Sequence, residues 1–139
     1  MTEAGASLTE AVAASQDHAA DTGAAFCHPY DDPDVVAGQG TLGIELAEDV
    51  PDLGTVIIPL GGGGLCAGVA TALRSLRPEV SIIAVQASVC APFLGHPPPT
   101  GPVPTLADGI AVKSPGSITR PIIERLVDDV VAVDEDTIA

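Results

Sequence analysis

Four consecutive glycines at positions 61–64 are the residues whose type and spacing most directly predict chemistry. They follow a β-branched run at 55–59 and precede an apolar segment of helical character. The N–H groups of a first helical turn have no intrahelical partner, and the helix dipole adds partial positive charge there. Glycine also lets the backbone approach an anion closely. The pattern predicts a phosphate-binding loop that consists of Gly61, Gly62, Gly63, Gly64 and the amide of Leu65.

Two common phosphate motifs do not fit these glycines. No Lys-Ser/Thr pair follows them, so they are not a Walker A loop, and position 86 after the next strand is Gln where a dinucleotide fold has an acid. A flexible turn without a chemical role remains as an alternative. The backbone entropy lost in ordering four glycines argues against it.

The elements around the glycines predict an α/β fold. Strand 55–59, helix 65–76 and strand 80–85 form a βαβ unit of parallel strands, which as continuous apolar runs are expected to be buried on both faces. The other predicted elements are a helix from Leu8 to Asp21 with a Ser7–Glu10 capping box and a Gly23 C-cap, a strand at 24–27, a short helix leading into a longer one over 34–48, a buried turn or strand at 106–112, a helix at 118–126, a strand at 129–133 and an acidic helix start at 134–136.

Composition argues against nucleic acid and membranes as partners. The formal charge is −14, with five Lys and Arg against nineteen Asp and Glu, whereas both partners need clustered cations. Residues 53–73 carry no charge, but Pro59 and the glycines interrupt them, which is unlike a membrane span.

Between 92 and 104, six of thirteen residues are proline, which predicts a loop.

The three cysteines, Cys27, Cys66 and Cys90, are an odd number without a C-x-x-C pair. They are expected to be reduced thiols that pack as small hydrophobes, as in a cytoplasmic protein. The acidic N-terminus lacks the basic region of a signal peptide.

Three separated motifs carry a resemblance to a known family. They are HPYDDPDVVAGQGT at 28–41, PLGGGGL at 59–65 and LADGIAVK at 106–113. In this order they resemble threonine dehydratases (threonine ammonia-lyases) of biosynthetic and catabolic type. These are fold-type II pyridoxal-phosphate (PLP) enzymes, related to serine dehydratase, serine racemase and the tryptophan synthase β chain. The resemblance extends from about Leu8 to Ala139.

The resemblance implies a partial fold-type II structure with PLP as cofactor. Residues 1–33 would end the smaller lobe and residues 34–139 would belong to the larger one. The glycine loop would receive the PLP phosphate, and Asp108-Gly109 would lie near the cofactor. Tyr30 resembles the aromatic residue of dehydratases, where racemase-type members tend to carry Asn. The parent enzyme would be a homo-oligomer that converts an amino acid, threonine or less readily serine, to a 2-oxo acid and ammonia; from threonine the product is 2-oxobutanoate.

Several family features are missing from these 139 residues. Lys113 is the only lysine, and it does not occupy the family's Schiff-base position. The family's Ser-Ser-Gly-Asn-His motif for the substrate carboxylate is absent as well, so no catalytic residue is expected here. The chain is predicted to be a central fragment, inactive alone, and its late helix start at 134–136 favours a chain cut short. A non-catalytic remnant that binds a phosphate ligand or pairs with a complete subunit, and an unrelated nucleotide-binding domain, are the alternatives.

No metal site is predicted. Some family members hold a divalent cation through a Glu and an Asp after the second strand, but Gln86 and Pro92 stand at about those places. The histidines show no ligand spacing. His28 is expected to form structural hydrogen bonds, and the nearby aspartates to form Asx-turns and a helix N-cap.

Exposed apolar faces would make the isolated chain marginally stable.

Overall fold

A three-stranded parallel sheet organises the fold, and a computed structural model describes it at residues 3–5, 7–97 and 99–139. The helices are α1 (Leu8–Thr22), α2 (Pro33–Asp49), α3 (Gly64–Leu76), α4 (Thr119–Leu126) and α5 (Glu135–Ile138), and the strands are β1 (Thr55–Pro59), β2 (Ser81–Ala87) and β3 (Asp129–Val133). The strand order is β1-β2-β3, and Ile57 pairs with Ile83 while Val85 pairs with Val131. The α/β fold and the parallel βαβ unit are therefore confirmed.

The core lies between α3 and one face of the sheet. Cys66, Ala70 and Leu73 of α3 are buried against Ile58 and Ile82 of the strands. Small side chains on α3 allow the helix to lie close to the sheet.

Helix α2 is one continuous helix, so the predicted short helix followed by a longer one is wrong. Its glycines face α3 instead of breaking the helix. A Cβ on Gly40 would lie 3.2 Å from the carbonyl oxygen of Gly68, and one on Gly43 would lie 2.8 Å from the Cβ of Ala72. Glycine has a low helix propensity, but the close contact between α2 and α3 leaves no room for a larger residue at these positions.

Three predictions of local structure or burial are wrong. Residues 24–27 form no strand, because no described strand lies beside them to complete a ladder. Ile57 of β1 is 66 % exposed, since β1 is an edge strand with one face uncovered. The 106–112 segment contains a 3₁₀ turn, Asp108–Ile110, and is not buried, with Leu106 69 % exposed. An apolar run shows which residues could be buried. Their burial also requires other elements that cover them, and the described residues do not supply these.

The Ser7 N-cap and the Gly23 C-cap predicted for α1 are confirmed. The Ser7 hydroxyl accepts a hydrogen bond from the Glu10 N–H at 3.3 Å, and Gly23 ends the helix with φ of 72°. Among the described residues, no helix has both the length and the apolar character needed to cross a bilayer. The three cysteines are free thiols.

Candidate functional site

The glycine loop, residues 61–64, connects the end of β1 to the start of α3. Gly62, Gly63 and Gly64 are buried, and Gly63 has a φ of 105°, which favours glycine. Within the described part of the chain, no backbone N–H from Gly61 to Cys66 donates a hydrogen bond to the protein. Buried backbone donors are nearly always paired. A row of them without acceptors at a helix start therefore fits a bound anion.

The glycines are also needed because other parts of the chain contact them closely. A Cβ on Gly62 would clash with the ring of Tyr30, and one on Gly64 would lie 3.1 Å from the Tyr30 backbone. A Cβ on Gly63 would lie 2.6 Å from the Thr119 hydroxyl, and one on Gly61 would lie 3.1 Å from the Ile110 Cα. These neighbours pack against the side of the loop that faces the protein interior. The backbone N–H groups remain as the groups of the loop that can bind a ligand.

The same contacts bring the three sequence motifs together. Tyr30 belongs to the first motif, the glycine loop to the second, and Ile110 to the third. The folded chain therefore places residues about eighty positions apart around one loop, and this convergence is stronger support for a binding site than any single motif.

His28 and Asp31 fix the conformation of the first motif. The His28 Nδ1 atom accepts hydrogen bonds from the N–H groups of Tyr30 at 3.3 Å and Asp31 at 2.8 Å. The Tyr30 hydroxyl donates to the Ser114 carbonyl at 3.1 Å. The structural role predicted for His28 is confirmed, and so is a helix N-cap among the aspartates, since Asp32 accepts from the Asp34 N–H at 2.8 Å.

Asp31 joins this motif to the start of α4. Its carboxylate accepts hydrogen bonds from the N–H groups of Ser117 and Ile118 at 2.8 and 2.7 Å, and from the Ser117 hydroxyl at 2.8 Å. Desolvation alone would raise the pKa of Asp31, but these hydrogen bonds together lower it below its ordinary value. Desolvation, together with the negative charge of Asp31, raises the pKa of Tyr30.

Asp108 and Lys113 lie outside the glycine loop, and none of its four glycines lines the cavity around them. Both line an open cavity of about 590 Å³ together with His28, Tyr30 and Val112. The Lys113 ammonium donates a hydrogen bond to the Gly101 carbonyl. A Cβ on Gly109 would meet no atom within 4 Å. The structure thus brings Asp108 to the same cavity as Tyr30.

The thiol nearest the loop is not a nucleophile. Cys66 is completely buried in the first turn of α3, and burial raises the pKa of its thiol to about 12. A thiol with that pKa stays protonated at neutral pH, so it behaves as an apolar side chain. In the described part of the chain, no group of three or more His, Cys, Asp or Glu side chains is arranged to hold a metal ion.

Two residues that contact the loop were not predicted as site residues. Gln86 and Thr119 are both 0 % exposed; Gln86 donates a hydrogen bond to the carbonyl of Leu60, just before the loop, and Thr119 donates one to the carbonyl of Gly62 within it. In the sequence, Gln86 stands out only as a departure from the acidic residue of other patterns, and Thr119 lies within the predicted helix 118–126. A polar residue inside an apolar strand was the available signal for Gln86, and no comparable signal marks Thr119.

Comparison with known proteins gives a family match and similar sequences. All residues, 1–139, match the family described as pyridoxal-phosphate dependent enzymes. The L-threonine ammonia-lyase of Thermotoga maritima is 48 % identical over 123 residues, 85 % of this chain and 31 % of that protein. The L-threonine ammonia-lyase of Geobacter sulfurreducens is 48 % identical over 141 residues, 97 % of this chain and 35 % of that protein.

A solved structure has the same fold. The processed form of threonine deaminase isoform 2 from Solanum lycopersicum superimposes with a TM-score of 0.87 at 36 % identity, covering 99 % of this chain and 39 % of that one. The chain therefore spans about a third of the length of the curated relatives that it matches.

Proposed function

Because the chain belongs to the family of pyridoxal-phosphate-dependent enzymes, we propose that it supplies the phosphate-binding part of the PLP site of an L-threonine ammonia-lyase. The single observation that carries this proposal is the row of backbone N–H groups between Gly61 and Cys66, which have no acceptor among the described residues. The two L-threonine ammonia-lyase relatives, each 48 % identical, support the choice of enzyme.

The glycine loop would bind the PLP phosphate through backbone amides. The N–H groups of the loop and of Leu65 can donate to phosphate oxygens, and the positive end of the α3 dipole favours the negative charge. Binding through neutral amides suits a chain with a formal charge of −14, because it does not require a cluster of cationic side chains. Tyr30 closes the protein side of the loop by packing on Gly62 and Gly64.

The 139 residues hold the phosphate but offer no group for the covalent step. When bound, PLP supplies an electron sink for negative charge at the substrate α-carbon. Lys113 is the only lysine in the sequence, and its ammonium is bonded to the Gly101 carbonyl. We therefore expect these residues alone to bind the cofactor without converting threonine to 2-oxobutanoate and ammonia, because the lysine and the substrate-binding motif of the family are not among them.

The first experiment measures binding to the chain as given. Isothermal titration calorimetry with PLP, with pyridoxal and with inorganic phosphate separates recognition of the phosphate from recognition of the ring. We expect PLP and inorganic phosphate to bind and pyridoxal to bind much more weakly. Equal binding of pyridoxal and PLP would contradict a phosphate site at the glycine loop. Release of 2-oxobutanoate from threonine by the chain and PLP would contradict the assignment of no catalytic residue.

A chimera tests the activity of the whole enzyme. The matched segment of the Thermotoga maritima L-threonine ammonia-lyase would be replaced by this chain, which is 48 % identical to it over 123 residues. We expect the chimera to produce 2-oxobutanoate from threonine. A folded chimera that binds PLP but is inactive on threonine and active on another amino acid would contradict the proposed substrate.

Association with another polypeptide is a second candidate role. The observation that favours it is the open sheet face, which consists of Ile57, Ile83, Val85 and Val131 and is partly or largely exposed. Parallel sheets are normally covered on both faces. We expect sedimentation analysis to show that the chain self-associates and that an Ile57→Lys variant associates more weakly. A chain that stays monomeric at all concentrations would argue against self-association through this face.

A further inference from the structure

We propose that Gln86 and Thr119 are positioning residues that aim the backbone N–H groups of Gly61 and Gly63 at the bound phosphate. Among the described residues, these are the two polar side chains that are completely buried. They come from different elements, β2 and the start of α4, yet both donate their hydrogen bonds to carbonyl oxygens in or next to the glycine loop. The inference rests on the proposed function, because it assumes that the loop binds phosphate.

Gln86 acts at the beginning of the loop. Its side-chain Nε2 donates to the Leu60 carbonyl at 3.2 Å, and its Oε1 accepts from the Phe93 N–H at 3.0 Å. The Leu60 N–H donates to the Val85 carbonyl at 2.8 Å. Leu60 is thus held through both of its backbone polar groups, and the peptide bond that leads to Gly61 has a fixed orientation.

Thr119 acts in the middle of the loop. Its hydroxyl donates to the Gly62 carbonyl at 2.7 Å, and the Gly116 N–H donates to the same oxygen at 3.2 Å. The Gly62 carbonyl therefore points toward the segment that precedes α4. The next carbonyl, that of Gly63, accepts the first hydrogen bond of α3, from the Ala67 N–H at 2.8 Å.

The planarity of the peptide bond converts these carbonyl contacts into N–H directions. In a trans peptide the C=O and the following N–H point in opposite directions, and the described residues contain no cis peptide bond. Fixing the Leu60 carbonyl therefore fixes the Gly61 N–H on the opposite side, and fixing the Gly62 carbonyl does the same for Gly63. Glycine has no Cβ to restrict its rotation, so without these contacts the two peptides could reorient. The side chains thus preorganise the donors before the phosphate arrives.

Thr119 gives the clearest test because conservative variants separate its hydroxyl from its shape. Thr119→Val keeps the volume and removes the donor, while Thr119→Ser keeps the donor. The chain offers a matched control in Thr71→Val, which removes a hydroxyl that donates to the Ala67 carbonyl within α3 at 2.7 Å, away from the loop. Gln86→Met tests the first contact in the same way.

The measurement combines phosphate affinity with the NMR signals of the loop amides. Inorganic phosphate and PLP are titrated into each ¹⁵N-labelled full chain, with the thermal midpoint recorded in parallel. We expect phosphate to shift the Gly61 and Gly63 amide signals of the wild type. Thr119→Val should raise the phosphate Kd about five- to tenfold and reduce the Gly63 shift, because one net hydrogen bond contributes about 1 kcal/mol. Thr119→Ser should restore the affinity to within about twofold, and Thr71→Val should leave it unchanged.

The possible results are distinguishable. A folded Thr119→Val chain with wild-type phosphate affinity and an unchanged Gly63 shift would overturn the inference while leaving the proposed function intact. A lowered thermal midpoint with unchanged affinity would show a purely structural role and would also overturn it. If the wild type bound neither phosphate nor PLP, the proposed function and the inference would both fail. Should Thr119→Val not fold, the Gln86→Met and Thr119→Ser titrations decide, since the inference requires weaker binding in the first and near-normal binding in the second.

Discussion

Asp31 Oδ1 accepts a hydrogen bond of 2.7 Å from the backbone N–H of Ile118, a residue 87 positions further along the chain. This contact joins the loop that carries Tyr30 to the segment that carries Thr119, and both side chains pack on the glycine loop. The carboxylate is thus in the position of an N-terminal helix cap, although it comes from a distant part of the sequence. The site depends on this long-range connection as much as on the glycines themselves.

Removing the carboxylate should destabilise the fold. We expect Asp31→Ala to lower the free energy of unfolding by about 1–2 kcal/mol, because it leaves the N–H groups at the start of α4 without their acceptor. Asp31→Asn should cost less, since its amide oxygen can still accept. Urea denaturation followed by circular dichroism measures the change. Asp21→Ala, at an exposed position in α1, is the control and should change stability by less than about 0.5 kcal/mol. Equal effects at positions 21 and 31 would show that the contact does not stabilise the fold.

The contribution of Asp31 should also depend on pH. Although desolvation opposes it, hydrogen bonding holds the folded-state pKa of Asp31 below its ordinary value of 3.8, so the ionised form is favoured by folding. The stabilisation is therefore complete above the unfolded-state pKa and is lost as the pH falls through the folded-state pKa. We expect the stability difference between wild type and Asp31→Asn to be constant above about pH 5 and to shrink below about pH 4. A difference that does not change over this range would contradict the lowered pKa.

Substituting glycine by alanine should have opposite effects at two positions. Gly63 has a φ of 105°, and a Cβ there would lie 2.6 Å from the Thr119 hydroxyl, so Gly63→Ala should cost about 2–4 kcal/mol of stability and weaken phosphate binding. Gly38 lies within α2 with no atom within 4 Å of an added Cβ, so Gly38→Ala should stabilise by about 0.5–1 kcal/mol. Thermal denaturation of both variants checks the sign of each change. Stabilisation by Gly63→Ala would mean that the loop adopts another conformation in solution.

A single arginine connects α3 to the segments that lead into the N-terminal ends of β2 and β3. The Arg74 side chain donates to the carbonyls of Leu126 at 2.9 Å and Val80 at 2.8 Å, and to Asp128 at 2.7 Å. Lysine cannot reproduce this planar set of donors. We expect Arg74→Lys to lower the free energy of unfolding by about 1–3 kcal/mol. Arg120→Lys is the control, because Arg120 forms an exposed pair with Glu124 that is worth about 0.5 kcal/mol or less. Similar losses from both substitutions would contradict the special role of Arg74.

The sequence predicted what depends on local pattern and failed where tertiary contacts decide. The glycine loop, its flanking strand and helix, and the Gly23 cap follow from short-range periodicity and backbone chemistry, and the structure has them as predicted. Exposure of Ile57 could not be predicted, because a β-branched run looks the same whether or not a second layer covers it. The contacts of Asp31 and Thr119 with distant segments have no local signal at all.

The reactivity of the three cysteines should report whether the isolated chain holds the compact core of the structure. Cys27 is exposed, whereas Cys66 and Cys90 are buried. Burial raises the pKa of Cys66 to about 12, so about one thiol in ten thousand is ionised at pH 8. Burial also raises the pKa of Cys90, against the opposing effect of Lys113. We expect iodoacetamide at pH 8 to add one group to the native chain and three groups in urea, as counted by mass spectrometry. Cys27→Ser should abolish the fast reaction, and rapid labelling of all three thiols without urea would show that the isolated chain does not keep its core closed.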